Sequence, residues 1–172
     1  MIRLARPDVG AKEAAAVPEV LESGHLTMGP KVAEFESELA RVCERPHAVA
    51  VSSGTAALHL AVLALGIGAG DEVLVPAFTF PATANVVALA GARPVLVEVD
   101  PETMNLDPAR VEAAVTRRTR AVLAVHLDRV GAARGWGEQP VGRLAVPRGV
   151  AGRDRHRDES PADLEGMVIG DT

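Results

Sequence analysis

The stretch AVSSGTAALHLAV, residues 50–62, joins two different periodicities without a loop. To its left, HAVAVS (47–52) reads as a buried strand; to its right, TAALHLAVLAL (55–65) reads as a helix. The joint itself is Ser52-Ser53-Gly54-Thr55. Small hydroxylated residues at a helix start serve as caps, because their oxygens accept the first free N–H groups of the helix, and Ser53 or Thr55 fits that role. The same joint suits an anion, since a helix start presents unpaired N–H groups and the positive end of its dipole. On these residues alone capping is the better-supported reading, and the anion reading stays open.

The elements around the joint alternate. AKEAAAVPEVLE (11–22) has helical composition, with Pro18 marking a kink or a late start. SGHLTMGP (23–30) is a break. KVAEFESELARVCE (31–44) is an amphipathic helix with Val32, Phe35, Leu39 and Val42 on one face. After the helix at 55–65 and the turn run GIGAGD, the chain gives EVLVPA as a strand and FPATANVVALAGA as a helix. RPVLVEV follows as a strand, DPARVEAAV as a helix with Asp107 as N-cap and Pro108 in its first position, and TRAVLAVHL as a strand. Near-continuous apolar strands separated by helices predict a three-layer α/β domain with a mostly parallel sheet.

Composition narrows the function classes. With 172 residues and 48% hydrophobic residues, the chain is long enough for one real core. A net charge of −5 argues against a general nucleic-acid binder. A single cysteine, Cys43, excludes a disulfide framework and a multi-cysteine zinc site, so no metal is expected. MIRLARPDVG has no apolar signal core, and no apolar run reaches spanning length, so the expected setting is the cytoplasm, off the membrane.

At residue 128 the text changes. Residues 128–159 carry seven Arg and no Lys, with many Gly and Pro, and basic residues outnumber acidic ones there while the reverse holds over 1–127. This predicts an α/β unit over 1–127, an atypical, poorly ordered segment over 128–165 and a short strand-like end, GMVIGDT, at 166–172.

Four stretches in a fixed order carry a resemblance: SGHLTMGPKVAEFE, the run from AVSSGTAALHL to PVLVEVD, PETMNLDPARVEAAVTRRTRAVLAVHL, and GMVIGDT. Together they resemble the pyridoxal-phosphate-dependent nucleotide-sugar aminotransferases of the DegT/DnrJ type. The fold this implies is an incomplete large domain of a fold-type I transferase. The resemblance tips the joint toward phosphate: the backbone of Gly54, Thr55 and Ala56 and the Thr55 hydroxyl would hold the phosphate of pyridoxal 5'-phosphate. It places Phe80 against the pyridine ring and puts Thr27, Met28 and Gly29 near the substrate and the dimer interface. Its substrates would be an amino-acid donor such as glutamate and a keto-sugar nucleotide, acted on by a homodimer. Asn85 either lines the cleft or is a satisfied helix residue. His59 reads as a packed or solvated helix residue; His126 ends a strand, where α/β folds place sites, and a structural role is at least as well supported.

The resemblance also implies two residues that the chain does not show. The family's Schiff-base lysine and its pyridine-nitrogen aspartate lie after the strand matching AVLAVHL. The only lysines here are Lys12 and Lys31, and neither stands in that motif; Asp128 and Asp154 have no motif around them. No catalytic residue is therefore assigned. The expectation is a truncated chain inactive alone, with its reading frame lost near 128 and regained near 166. Two other readings compete. One is a non-catalytic remnant that holds a phosphate or pairs with an intact homologue. The other, an unrelated nucleotide-binding α/β domain, is disfavoured by the single glycine of SSGT, which is not the dinucleotide fingerprint G-x-G-x-x-G.

Overall fold

The computed structural model describes residues 8–125 and the backbone of Arg143–Ala145. The chain divides into two units, Met1–Ala50 and Val51–Thr172. The first holds α1 (Ala11–Ser23) and α2 (Pro30–Val42). The second holds α3 (Gly54–Ala64), β1 (Glu72–Pro76), α4 (Ala82–Leu89), β2 (Arg93–Val97), α5 (Pro108–Ala114), β3 (Thr119–Ala124) and β4 (Arg143–Ala145).

In the second unit β1 is central. It pairs in parallel with β2 on one side and β3 on the other, and β4 adds to β3 antiparallel, giving the order β2-β1-β3-β4. All five residues of β1 are buried, as a strand covered on both faces requires. Alternation along β1 splits the core in two. Val73 and Val75 pack with Val62, Val86, Val87, Ala121 and Leu123 under α3 and α4. Leu74 faces the other way, against Val97, Leu106, Val111 and Val122 under α5. Helices thus cover both faces, and the predicted three-layer, mostly parallel architecture is present.

Local signals explain the helix ends. Asp107 accepts the Ala109 N–H at 2.9 Å and Pro108 opens α5, as the sequence predicts. Gly24 closes α1 in the left-handed conformation at φ 72°. α1 starts at Ala11 and runs through Pro18, so Pro18 does not delay it.

Two expectations are corrected. HAVAVS (47–52) is not a strand, and Val49 is 76% exposed. A strand needs a neighbouring edge for its N–H and C=O groups, and among the described residues no strand pairs with this segment. The Ala50 N–H instead donates to Glu36 Oε1 of α2 at 2.8 Å. The helix at α2 forms as read, but its apolar face is not core: Phe35 and Val42 are exposed, and Ala40 is the helix's buried residue. Period specifies the helix, not what covers it. GMVIGDT, His126, Asp128, Asp154 and the 128–165 segment apart from β4 lie outside the described residues.

At the N-terminal end of the sheet lies a buried carboxylate that the sequence reading did not single out. The Glu72 side chain is 3% exposed. It accepts the Thr116 hydroxyl at 2.6 Å and pairs with Arg118 at 2.7 Å and Arg93 at 3.4 Å. The Thr116 hydrogen bond, helped by both guanidiniums, holds its carboxyl below the ordinary range against the opposing effect of burial.

Candidate functional site

The turn Leu65–Asp71 reverses the chain between α3 and β1, so α3 begins level with the C-terminal end of β1. α4 follows β1 and packs beside α3, and it begins at that same end. The C-terminal end of a parallel sheet is where open α/β folds place ligands. Gly54, Thr55 and Ala56 at the start of α3, and Phe80 in the β1–α4 loop, are therefore brought to one end of the unit.

The start of α3 is capped as the residues alone suggested. Ser53 has extended backbone, and its Oγ accepts the Ala56 N–H at 3.1 Å. The N–H groups of the first helical residues, Gly54 and Thr55, have no partner within a helix by its geometry. Gly54 is half-buried, and Thr55 is exposed. This donor set suits a phosphate: two outward N–H groups, a hydroxyl and the positive end of an 11-residue helix. The third N–H, that of Ala56, is shared with the Ser53 cap.

Phe80 is 74% exposed and Phe78 56% exposed, so neither ring is core filler. Exposure on a flat ring at a ligand-binding edge suits a stacking face. The loop that carries Phe80 is tied to α4, since the Thr83 N–H donates to the Phe80 carbonyl at 3.1 Å. The hydroxyls of Thr79 and Thr83 lie 3.3 Å apart, a pair the sequence reading missed. Its signal is two threonines four apart across a helix start. Asn85 is exposed on α4 and His59 is half-buried in α3.

Thr27, Met28 and Gly29 belong to the other unit, in the loop between α1 and α2. Met28 is 82% exposed and adopts φ 49°, a left-handed conformation uncommon for a side-chain-bearing residue. Gly29 caps α2 ahead of Pro30. A Cβ on Gly29 would stand 2.9 Å from both the His25 Cβ and the His25 carbonyl oxygen.

Both lysines belong to the first unit. Lys12 is exposed on α1. Lys31 Nζ lies 2.9 Å from Glu34 Oε2, and that hydrogen bond raises its pKa from the ordinary value. Among the described residues no cluster of three His, Cys, Asp or Glu side chains is placed to hold a metal ion, and no helix is long and apolar enough to cross a membrane.

Residues 7–132 match the DegT/DnrJ/EryC1/StrS aminotransferase family. Among solved structures, DesV of S. venezuelae is similar at 48% identity and a TM-score of 0.67, over 73% of this chain and 33% of its own. An aminotransferase from Psychrobacter cryohalolentis is 39% identical with a TM-score of 0.68, over 72% of this chain and 32% of its own. Spr1654 of Streptococcus pneumoniae in its PMP form is 38% identical with a TM-score of 0.69, over 73% and 32%. The chain thus spans about a third of the length of each of these structures. The described fold is the corresponding part of a fold-type I pyridoxal-phosphate aminotransferase, and the chain belongs to the DegT/DnrJ/EryC1/StrS aminotransferase family.

Proposed function

We propose that this chain carries the cofactor-phosphate portion of a pyridoxal-phosphate-dependent sugar aminotransferase, and that as a 172-residue chain it does not transaminate alone. The observation that supports this reading is the element order, in which α4 follows β1 directly and α3 precedes it across one turn, together with the exposed Phe80 ring between β1 and α4. The PMP and PLP forms of Spr1654 support the choice of cofactor. The full reaction would pass an amino group from an amino acid such as glutamate to a keto-sugar nucleotide. By family resemblance it would run in the cytoplasm on a homodimer, with Thr27, Met28 and Gly29 near the substrate.

When bound, the cofactor supplies the electron sink for amino transfer. This chain's residues bind and orient it. The Gly54 and Thr55 N–H groups and the Thr55 hydroxyl would donate hydrogen bonds to the phosphate, the Ala56 N–H would be shared with Ser53, and Phe80 would offer a flat face to the ring. No residue is assigned to proton transfer, because the two lysines are exposed and one is paired with Glu34. General acid–base catalysis is commonly worth about 100- to 10,000-fold, and that contribution would be absent. The lysine placement also favours a second reading, a non-catalytic module that holds a phosphate or pairs with an intact homologue.

An assay on the purified chain with glutamate, a 4-keto-6-deoxy sugar nucleotide and pyridoxal phosphate tests this. No turnover is expected, and borohydride should leave no stoichiometric cofactor on either lysine at low cofactor concentration. Turnover abolished by Lys31→Ala or Lys12→Ala would overturn the proposal.

A further inference from the structure

We infer that Thr83 is a positioning residue that holds the loop backbone from which the Phe80 ring projects, an inference that rests on the cofactor reading above. Thr83 sits in the first turn of α4 and is 3% exposed. A hydroxyl so placed is costly unless bonded, and its partner is the Thr79 hydroxyl at 3.3 Å. The Thr83 N–H also donates to the Phe80 carbonyl at 3.1 Å. Phe80 is therefore bracketed: Thr79 precedes it, Thr83 follows it, and one hydroxyl pair closes the bracket. The ring itself is 74% exposed, so packing does not hold it, and what the hydrogen bonds hold is the backbone from which it projects. Valine would fill the same space at 83 without closing the bracket. The threonine is explained by what it holds.

The chain has three phenylalanines, Phe35, Phe78 and Phe80, so 4-fluorophenylalanine labelling gives three fluorine resonances assignable by single Phe→Leu variants. Thr83→Val should shift the Phe80 resonance and leave that of Phe35 in place. The same variant should weaken pyridoxamine phosphate binding about 5-fold, the size of one ordinary hydrogen bond, with inorganic phosphate binding unchanged. Pyridoxamine phosphate is the probe because it has no aldehyde to react with surface amines. Thr83→Ser should restore both readouts. Combined with Phe80→Ala, Thr83→Val should add no further loss, since both act through one ring.

Thr79→Val repeats the test from the half-buried side of the pair should Thr83→Val fail to fold. An unmoved Phe80 resonance, a response at Phe78 alone, or equal losses for pyridoxamine phosphate and inorganic phosphate would overturn the inference. A parent chain that binds neither ligand would sink the cofactor reading by itself. The Phe80 resonance would then still decide whether Thr83 holds the loop.

Discussion

Replacing Glu72 by glutamine tests how the sheet is closed at the end away from the site. The substitution keeps shape and removes charge. Glu72 is 3% exposed, while Arg93 and Arg118 are 70% and 61% exposed. Losing the carboxylate thus leaves two solvated cations, not two buried ones, and the large cost of orphaning a buried charge does not arise. What is lost is the charge-assisted bond from Thr116 at 2.6 Å and the pair with Arg118 at 2.7 Å. A hydrogen bond to a charged group contributes about 1.5–3 kcal/mol, and pairs with exposed partners add about 0–1 kcal/mol. Relief of the desolvated charge offsets part of this, so Glu72→Gln should cost about 2 kcal/mol near neutral pH.

The pH dependence has a definite sign. The folded pKa of Glu72 lies below its ordinary value of 4.5. Its contribution is therefore complete above the unfolded value and is lost as pH falls through the folded one. Urea unfolding followed by far-ultraviolet circular dichroism, run as a pH series on parent and variant, measures this. The two midpoints should converge as the pH drops below the folded value. Equal stabilities at neutral pH, or a gap that ignores pH, would refute the reasoning.

Leu74 is fully buried among Val97, Leu106, Val111 and Val122, so Leu74→Ala should destabilise the second unit by about 3 kcal/mol in the same urea assay. Ser53→Ala removes the cap on Ala56 and should cost about 1 kcal/mol, with added phosphate recovering part of it by taking over the vacated N–H. Gly29→Ala should loosen the α1–α2 loop, because a Cβ there meets His25 at 2.9 Å; faster amide exchange from 25 to 32 checks it.

The legible part of this fold was the part specified locally. Periodicity and capping place β1 to β3 and α2 to α5, because Asp107, Pro108, Gly29 and Pro30 act on their own neighbours. HAVAVS shows what local reading lacks: its apolar run satisfies strand propensity, but a strand exists only with a partner edge, and partners are set by tertiary pairing. The same limit applies to Phe35 and Val42, whose helical spacing says nothing of what covers them. Glu72 was missed because its partners, Arg93, Thr116 and Arg118, lie 21 to 46 residues away in sequence. At the site, the joint at 52–55 stood out through its small hydroxylated residues at a helix start, while the phosphate role of Gly54 to Ala56 came from the resemblance, since the residues alone favoured a cap. The Thr79–Thr83 pair did not, because threonines near a helix start more often cap than bracket a ring.

The central claim is that the start of α3 receives a phosphate. Backbone amide shifts of the nitrogen-15-labelled chain, titrated with pyridoxamine phosphate and separately with inorganic phosphate, test it most directly. The account predicts that Gly54 and Thr55 move with both ligands, that Ala56 moves as the Ser53 cap yields, and that residues around Phe80 move with pyridoxamine phosphate alone. Saturable binding that leaves the Gly54 and Thr55 amides in place, or no binding of either ligand, would contradict it.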